Sequence, residues 1–458
     1  MTRHSEADFL TYVDHHPELR LRQTFAPLFE SARRLIPRVS NRTSSGDYGL
    51  QPWPLLLDAE QEQDLARTAV ALTRLIRQIP WRFFAGDPER LRSFYSLSSD
   101  LLARLLMAEP TGADALLARG DFLETDDGFR CLELNFGNLG GLQYSAFAPL
   151  FETFPAYLEL SRGGDRPWRH RDSLAPLFRH VLRHRRVEPR RRPYRLAIVT
   201  ATGDSAYSPA GHPLPLYQKT LEETIRSTAP GEAIELLLLP HDELSFHRRR
   251  VHGRGHRLHG IVDLSDQDTG RELFQSFKAG YVDLYSSPVG MILGDKRNLA
   301  LLSQGLESAA LSPEERDLIA TAVPWTRPVT RGEVDFRGEL YDLEELVEEQ
   351  REQLVLKAGE SLGGRAVVIG PRVDQDTWSE ACRKALAGGD WIVQEYVAAR
   401  PRELQAGAAG SQPHDIVWGL FVFGDEFGGI WIRLAPRLAS SGVLNRSQGA
   451  TIGVPFFA

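Results

Sequence analysis

The sequence predicts a multidomain chain that mixes α/β and α+β parts, and three changes of texture along it carry that prediction. Apolar residues recur at helical spacing between about Gln61 and Met107, as in Leu65, Ala69, Leu72, Leu75 and Ile76. Apolar strands alternate with helix-compatible segments from Arg195 to Leu264. Beyond Val323 the chain turns to short strands and glycine-bearing turns.

Length and composition agree. The 458 residues, 42% hydrophobic and 25% charged, suffice for two or three domains. A net charge of -7 and a pI near 6.0 argue against a nucleic-acid-binding protein as a whole, because phosphate recognition calls for a basic surface or stripe. Cys131 and Cys382 are too few for a disulfide framework, so a reducing, cytoplasmic location is expected. No secretory h-region follows Met1, and no stretch approaches the roughly 20 apolar residues of a membrane span. Of the 54 basic residues only five are lysines, Lys219, Lys278, Lys296, Lys357 and Lys384. A lysine inside a motif is therefore informative here.

In chain order, the helical layer should break at Pro80 and restart near Asp87 and Pro88. A hairpin follows, running from Phe122 to Glu124, turning at Asp126, Asp127 and Gly128, and returning from Phe129 to Asn135. The basic, proline-interrupted stretch from Arg183 to Pro193 reads as a solvated linker. Strands at Arg195 to Thr200, Ala233 to Leu239 and Gly260 to Leu264 then suggest a small parallel α/β domain. Further strands are expected at Leu354 to Lys357, Ala366 to Ile369 and Trp391 to Val397, with a helix from Asp376 to Leu386. A last hairpin joins Leu420 to Phe423 with Ile430 to Arg433. The boundaries so implied are 1–185, 194–290 and 291–458.

Five constellations carry chemistry. The first is Arg119-Gly-Asp121 with Glu133-Leu-Asn135. The strand period of two puts Glu133 and Asn135 on one face, the hairpin lets Asp121 face Glu133, and the neighbouring Glu124 is placed toward solvent. Two carboxylates and an amide oxygen make a hard-oxygen set suited to Mg2+, although Glu-x-Asn alone also describes a solvent-facing strand. The second is Lys357, which closes an apolar strand ahead of a loop with Gly363 and Gly364. Backbone N–H groups of such a loop can close on phosphate while the lysine neutralises it; no Walker motif is present.

The third is the strand end Gln394-Glu395-Tyr396-Val397, whose backbone could read an adenine edge, with Glu395 near the purine or ribose. The fourth is Lys296 at a helix start, where unpaired N–H groups favour anions. The fifth is Arg433, a guanidinium closing a strand that should face the same cleft.

As a set these motifs resemble the ATP-grasp ligases. Their usual order is altered: the Arg-x-Asp and Glu-x-Asn elements stand first here. That order resembles the circularly permuted branch typified by glutathionylspermidine synthetase, although the chain has no room for a fused amidase domain. The resemblance spans about Arg119 to Ala458. It implies a circularly permuted ATP-grasp fold, with a helical N-terminal layer and the small parallel domain beside it. It further implies ATP and two Mg2+ ions as cofactors, with Asp121, Glu133 and Asn135 as metal ligands. Lys296 and Lys357 would hold phosphates, Gly363 and Gly364 would cover them, and Gln394 to Val397 would hold the nucleotide. Arg119 and Arg433 would stabilise the transferring phosphoryl group. The implied reaction joins a small-molecule or peptide carboxylate to an amine, with no nucleic acid and no membrane as partner. A phosphotransferase, or a nucleotide-binding scaffold without catalysis, remains the alternative.

Overall fold

Strand-forming residues from both ends of the chain meet in one sheet. The computed structural model describes residues 26–36, 39–40, 48–107, 116–137, 139–153, 157, 168–188, 193–202, 213–265, 270–286, 289–307, 310–359, 366–405, 411–437, 442–444 and 449–457. The sheet runs in the spatial order Val39–Ser40, Tyr48–Leu57, Thr451–Phe457, Glu426–Pro436, Ser411–Phe423, Leu117–Thr125, Gly128–Phe136, with Arg402–Gln405 on the outer part of Ser411–Phe423. The expected Phe122 to Asn135 hairpin is thus the sheet's edge, and it pairs with a strand almost 300 positions later.

Alternation along these strands sends side chains into two cores. Trp418, Leu420 and Val422, with Ile430, Ile432 and Leu434, join the core beneath the Ala59–Arg82 helix. On the opposite face Phe421, Phe423 and Trp431 join a second core with Phe178 and Val181 of the Leu174–His184 helix. The rest of that second face carries the polar residues of the candidate site.

The three apolar strands expected between 194 and 264 lie in one parallel sheet with a fourth, in the order Ile234–Pro240, Tyr194–Thr200, Gly260–Asp263, Asp283–Leu284. Within the described part of the basic stretch Arg185 is tied to Glu232 by two hydrogen bonds, at 2.9 and 3.0 Å, while Arg183, Arg186 and Glu188 are exposed. A third sheet is antiparallel, in the order Thr326–Pro328, Trp391–Glu395, Leu354–Ala358, Val367–Ile369. Leu354, Leu356 and Val393 pack on Trp378 of the Gln375–Gly388 helix, which leaves its other face to the site.

Two sequence expectations are corrected, at Pro80 and Glu124, and one strand is added. Pro80 does not break the helix. It sits in the last turns of Ala59–Arg82, where a missing donor deprives the helix of one bond, and the chain stops at Phe83 before restarting under the Asp87 cap with Pro88 in the first turn. The Tyr48–Leu57 strand went unread because Pro52 and Pro54 argue against a strand interior; its register with Thr451–Phe457 shifts where they lie.

Glu124, expected to face solvent, is buried. It lies on the face opposite Asp121 and accepts from Arg402 Nε at 3.0 Å and Nη2 at 2.7 Å. Glu124→Ala should therefore cost roughly 2 kcal/mol of folding stability, read as a lower urea midpoint with unchanged slope. A midpoint equal to wild type would show that this pair holds nothing together.

Candidate functional site

One face of the large sheet collects the charged residues. Register sets Glu133, Asp121, Gly419 and Trp431 in one row across four strands, with Asn135, Arg119 and Phe421 in the next. Asp121 is 3% exposed, and both its oxygens are engaged. Arg119 donates from Nε at 2.8 Å and from Nη2 at 3.1 Å, and Arg433 Nη2 makes an ion pair at 2.6 Å. Burial resists ionisation of this carboxyl, but the charges and hydrogen bonds of Arg119 and Arg433 outweigh it and hold the group well below the usual carboxylate range. Gly419 leaves the space between the two arginine strands. A Cβ there would stand 3.1 Å from Arg119 Cδ and 3.1 Å from the Trp431 carbonyl oxygen.

Next to this cluster a bulge reshapes the edge strand. Asp121 pairs with Glu133 and Phe122 with Cys131, so Leu132 is an extra residue. Its carbonyl accepts from Lys357 Nζ at 3.1 Å, and the same ammonium donates to Gln394 Oε1 at 2.6 Å. Gln394 is fixed in turn by its bond to Thr326 Oγ1 at 3.0 Å. Burial pushes the Lys357 ammonium down to about 8, with Lys296 adding to the effect and Glu133 opposing it. Lys296 reaches Glu133 at 3.4 Å, and Asn135 donates to Glu133 Oε1 at 3.3 Å. The third sheet thus faces the large one, and Lys357 crosses between them.

Beside Lys296, Asp295 and Arg297 form a fully buried pair with contacts of 2.6 to 3.1 Å. Arg297 also lies over the rings of Phe94 and Tyr95. This anchors the turn that carries Lys296. The sequence gives no sign of it beyond Asp and Arg two apart.

The strand end behaves differently from its expectation. Glu395 lies on the opposite face from Gln394 by strand alternation, and its carboxylate accepts from Arg337 Nε at 3.1 Å and Nη2 at 2.7 Å. It therefore does not point into the Lys357 cleft. The N–H groups of Glu395 and Tyr396 are taken by the carbonyls of Trp325 and Gln353, at 2.8 and 2.7 Å. Among the described residues the Val397 N–H has no such partner. Gly363 and Gly364 lie outside the described residues.

Among the described residues the site's side chains oppose four cations, Arg119, Arg433, Lys296 and Lys357, to two carboxylates, Asp121 and Glu133. The excess is positive, which suits a polyanion. Glu133, Asp121 and Asn135 supply hard oxygens on the same face, so the donor set also fits Mg2+, with Asp121 reachable once its guanidinium partners turn away. Among the described residues no cluster of three His, Cys, Asp or Glu that could hold a metal ion is found.

No family model matches the chain, and no curated protein does. Among solved structures, a glutathione synthetase like-effector from Globodera pallida, in its apo form, aligns with a TM-score of 0.60 and 11% identity. The alignment covers 96% of this chain and 98% of that one. A protein of Methylobacillus flagellatus KT, provisionally assigned as a gamma-glutamylcysteine synthetase, aligns at 0.43 with 14% identity over 89% and 90%. D-alanyl-alanine synthetase A from Vibrio cholerae O1 aligns at 0.26 with 9% identity over 49% and 66%. The first of these shows a fold shared along nearly the whole chain; at such identity, fold is all it shows. Among the described residues no helix is long and apolar enough to cross a membrane.

Two outcomes follow from the geometry. Asp121→Asn leaves two buried guanidinium groups without their counter-charge and should lower stability by roughly 3–5 kcal/mol, measured by chemical denaturation. An unchanged stability would mean that the three groups are not ionised together. Lys357 loses its proton as pH rises through about 8 in the free protein, and a neutral amine no longer attracts an anion. Calorimetric affinity for a polyanion such as inorganic tripolyphosphate should therefore hold below that value and fall above it; a profile unchanged on crossing it would remove the Lys357 charge from anion recognition.

Proposed function

We propose that the chain is an ATP-grasp ligase with circularly permuted elements, joining a carboxylate to an amine with ATP as the energy source. The observation that carries this reading is the convergence of Arg119, Arg433, Lys296 and Lys357 around Asp121 and Glu133, from strands and a helix start that lie far apart in the chain. The permutation is supported by the Leu117–Phe136 hairpin. It precedes the other site elements in sequence and pairs with Ser411–Phe423 in space. In this reading 1–185 and 291–458 together build the nucleotide cleft, and 194–290 is a smaller domain beside it.

The residues divide the work by chemistry. Lys296 and Lys357 neutralise nucleotide phosphates, and Gly363 and Gly364 close over them. The Val397 N–H, which no backbone carbonyl of the described residues takes, meets the adenine edge, while Glu395, tied to Arg337, shapes the strand end rather than touching the ribose. Asp121, Glu133 and Asn135 would hold Mg2+, which when bound shields phosphate charge during transfer. Arg119 and Arg433 exchange Asp121 for the terminal phosphate, so that the groups neutralising the moving phosphoryl are in place before transfer. A carboxylate oxygen of the acid substrate attacks the terminal phosphorus, ADP leaves, and an acyl phosphate forms. The amine then attacks the acyl carbon and expels phosphate, giving the amide.

The isotope balance of that sequence tests it. One oxygen of the acid leaves with phosphate, so acid labelled with heavy oxygen should yield labelled inorganic phosphate in step with ADP and amide, read by mass spectrometry. Formation of AMP and pyrophosphate would instead mean adenylation. Label-free phosphate alongside amide would exclude the acyl phosphate, and phosphoryl transfer to a non-carboxylate acceptor without amide would make the chain a phosphotransferase.

A further inference from the structure

We infer that Trp431 is a positioning residue that holds Arg119 and Arg433 for the terminal phosphate when they release Asp121; this rests on the ligase reading above. The two guanidinium carbons lie over the Trp431 ring, at 5.0 Å for Arg119 and 4.7 Å for Arg433. That places both within the range where an aromatic face attracts a cation. Two hydrogen bonds from Arg119 and an ion pair from Arg433 hold the arginines on Asp121 in the present arrangement, but that partner is the one they must give up. The indole is not a competitor for phosphate, so its hold on both groups survives the exchange.

The ring itself is fixed from several sides. Trp431 is 4% exposed. Tyr144 lies 6.0 Å away at an interplanar angle of 30°. Gly141, with φ of 101°, passes so close that a Cβ there would stand 2.2 Å from Trp431 Cδ2. Only glycine takes that backbone angle at no steric cost and also leaves the contact open. The neighbouring Gly140 carbonyl accepts from Arg119 Nη1 at 3.1 Å, so one short segment holds both the platform and the group upon it. Across the sheet Gly419 pairs with Trp431, and its lack of a side chain lets the arginines reach the ring.

Two variants, Trp431→Leu and Trp431→Phe, test this by calorimetry with ATP, ADP and inorganic tripolyphosphate. Loss of the aromatic face in Trp431→Leu should weaken ATP and tripolyphosphate roughly tenfold, with ADP affinity much less affected, since ADP lacks the phosphate the arginines receive. Trp431→Phe keeps a face and should recover most of the ATP-to-ADP preference, and turnover should follow the same order through kcat more than KM. Gly141→Ala keeps the tryptophan but displaces it, and should resemble Trp431→Leu if either leucine or phenylalanine compromises folding. A residue that merely fills space would change the melting temperature and leave the ATP-to-ADP ratio at its wild-type value, which would overturn the inference. Wild-type protein that binds tripolyphosphate but no nucleotide would refute the ligase reading alone, the effect of Trp431→Leu on tripolyphosphate still deciding the present one. Wild-type protein that binds none of the three would end both.

Discussion

A buried carboxylate between two buried guanidinium groups is the constraint on which the large sheet depends. Asp121 and Arg119 come from one strand and Arg433 from another, and the strand between them must pass without a side chain where they meet. Gly419 is that passage. Replacing such a cluster by apolar residues is often neutral for stability, whereas removing one member is strongly destabilising, because the remaining charges stay buried. The cluster thus sets geometry more than it adds free energy. It requires Leu117–Thr125 and Glu426–Pro436 to flank Ser411–Phe423, and so requires early and late parts of the chain to share a sheet.

Much of this was legible in the sequence, and the reason is the strand period. Arg119, Asp121, Glu133 and Asn135 sit two apart within their strands, so alternation alone placed them on one face. The parallel domain was legible because three apolar runs alternate with helix-compatible segments. The same rule failed where a partner outside the local window decides. Glu124 was assigned to the correct face, but no local pattern shows that Arg402 covers that face. Glu395 was given a role in the cleft although its odd spacing from Gln394 turns it away. The bulge at Leu132 left no signal, since an added residue in an edge strand looks like any other until its register is known. Tyr48–Leu57 was hidden by its prolines, which an outer strand tolerates at a register shift.

That unread bulge explains the choice of lysine in an arginine-rich chain. Leu132 offers a carbonyl, Gln394 an amide oxygen and Glu133 a nearby charge, all converging on one point. An ammonium is a compact charge with three donors that can rotate to meet such a set, whereas a guanidinium is a flat fork suited to two oxygens in a plane. The forks stand at the Asp121 carboxylate, where Arg119 meets both oxygens and Arg433 pairs with one. Ammonium groups stand where single oxygens converge, at Lys357 and Lys296. The division also separates what can titrate from what cannot: burial lowers Lys357 to about 8, while a guanidinium keeps its charge throughout the working range of pH. A cleft built this way can adjust its hold on an anion at Lys357 with pH, yet keeps constant charge at Arg119 and Arg433.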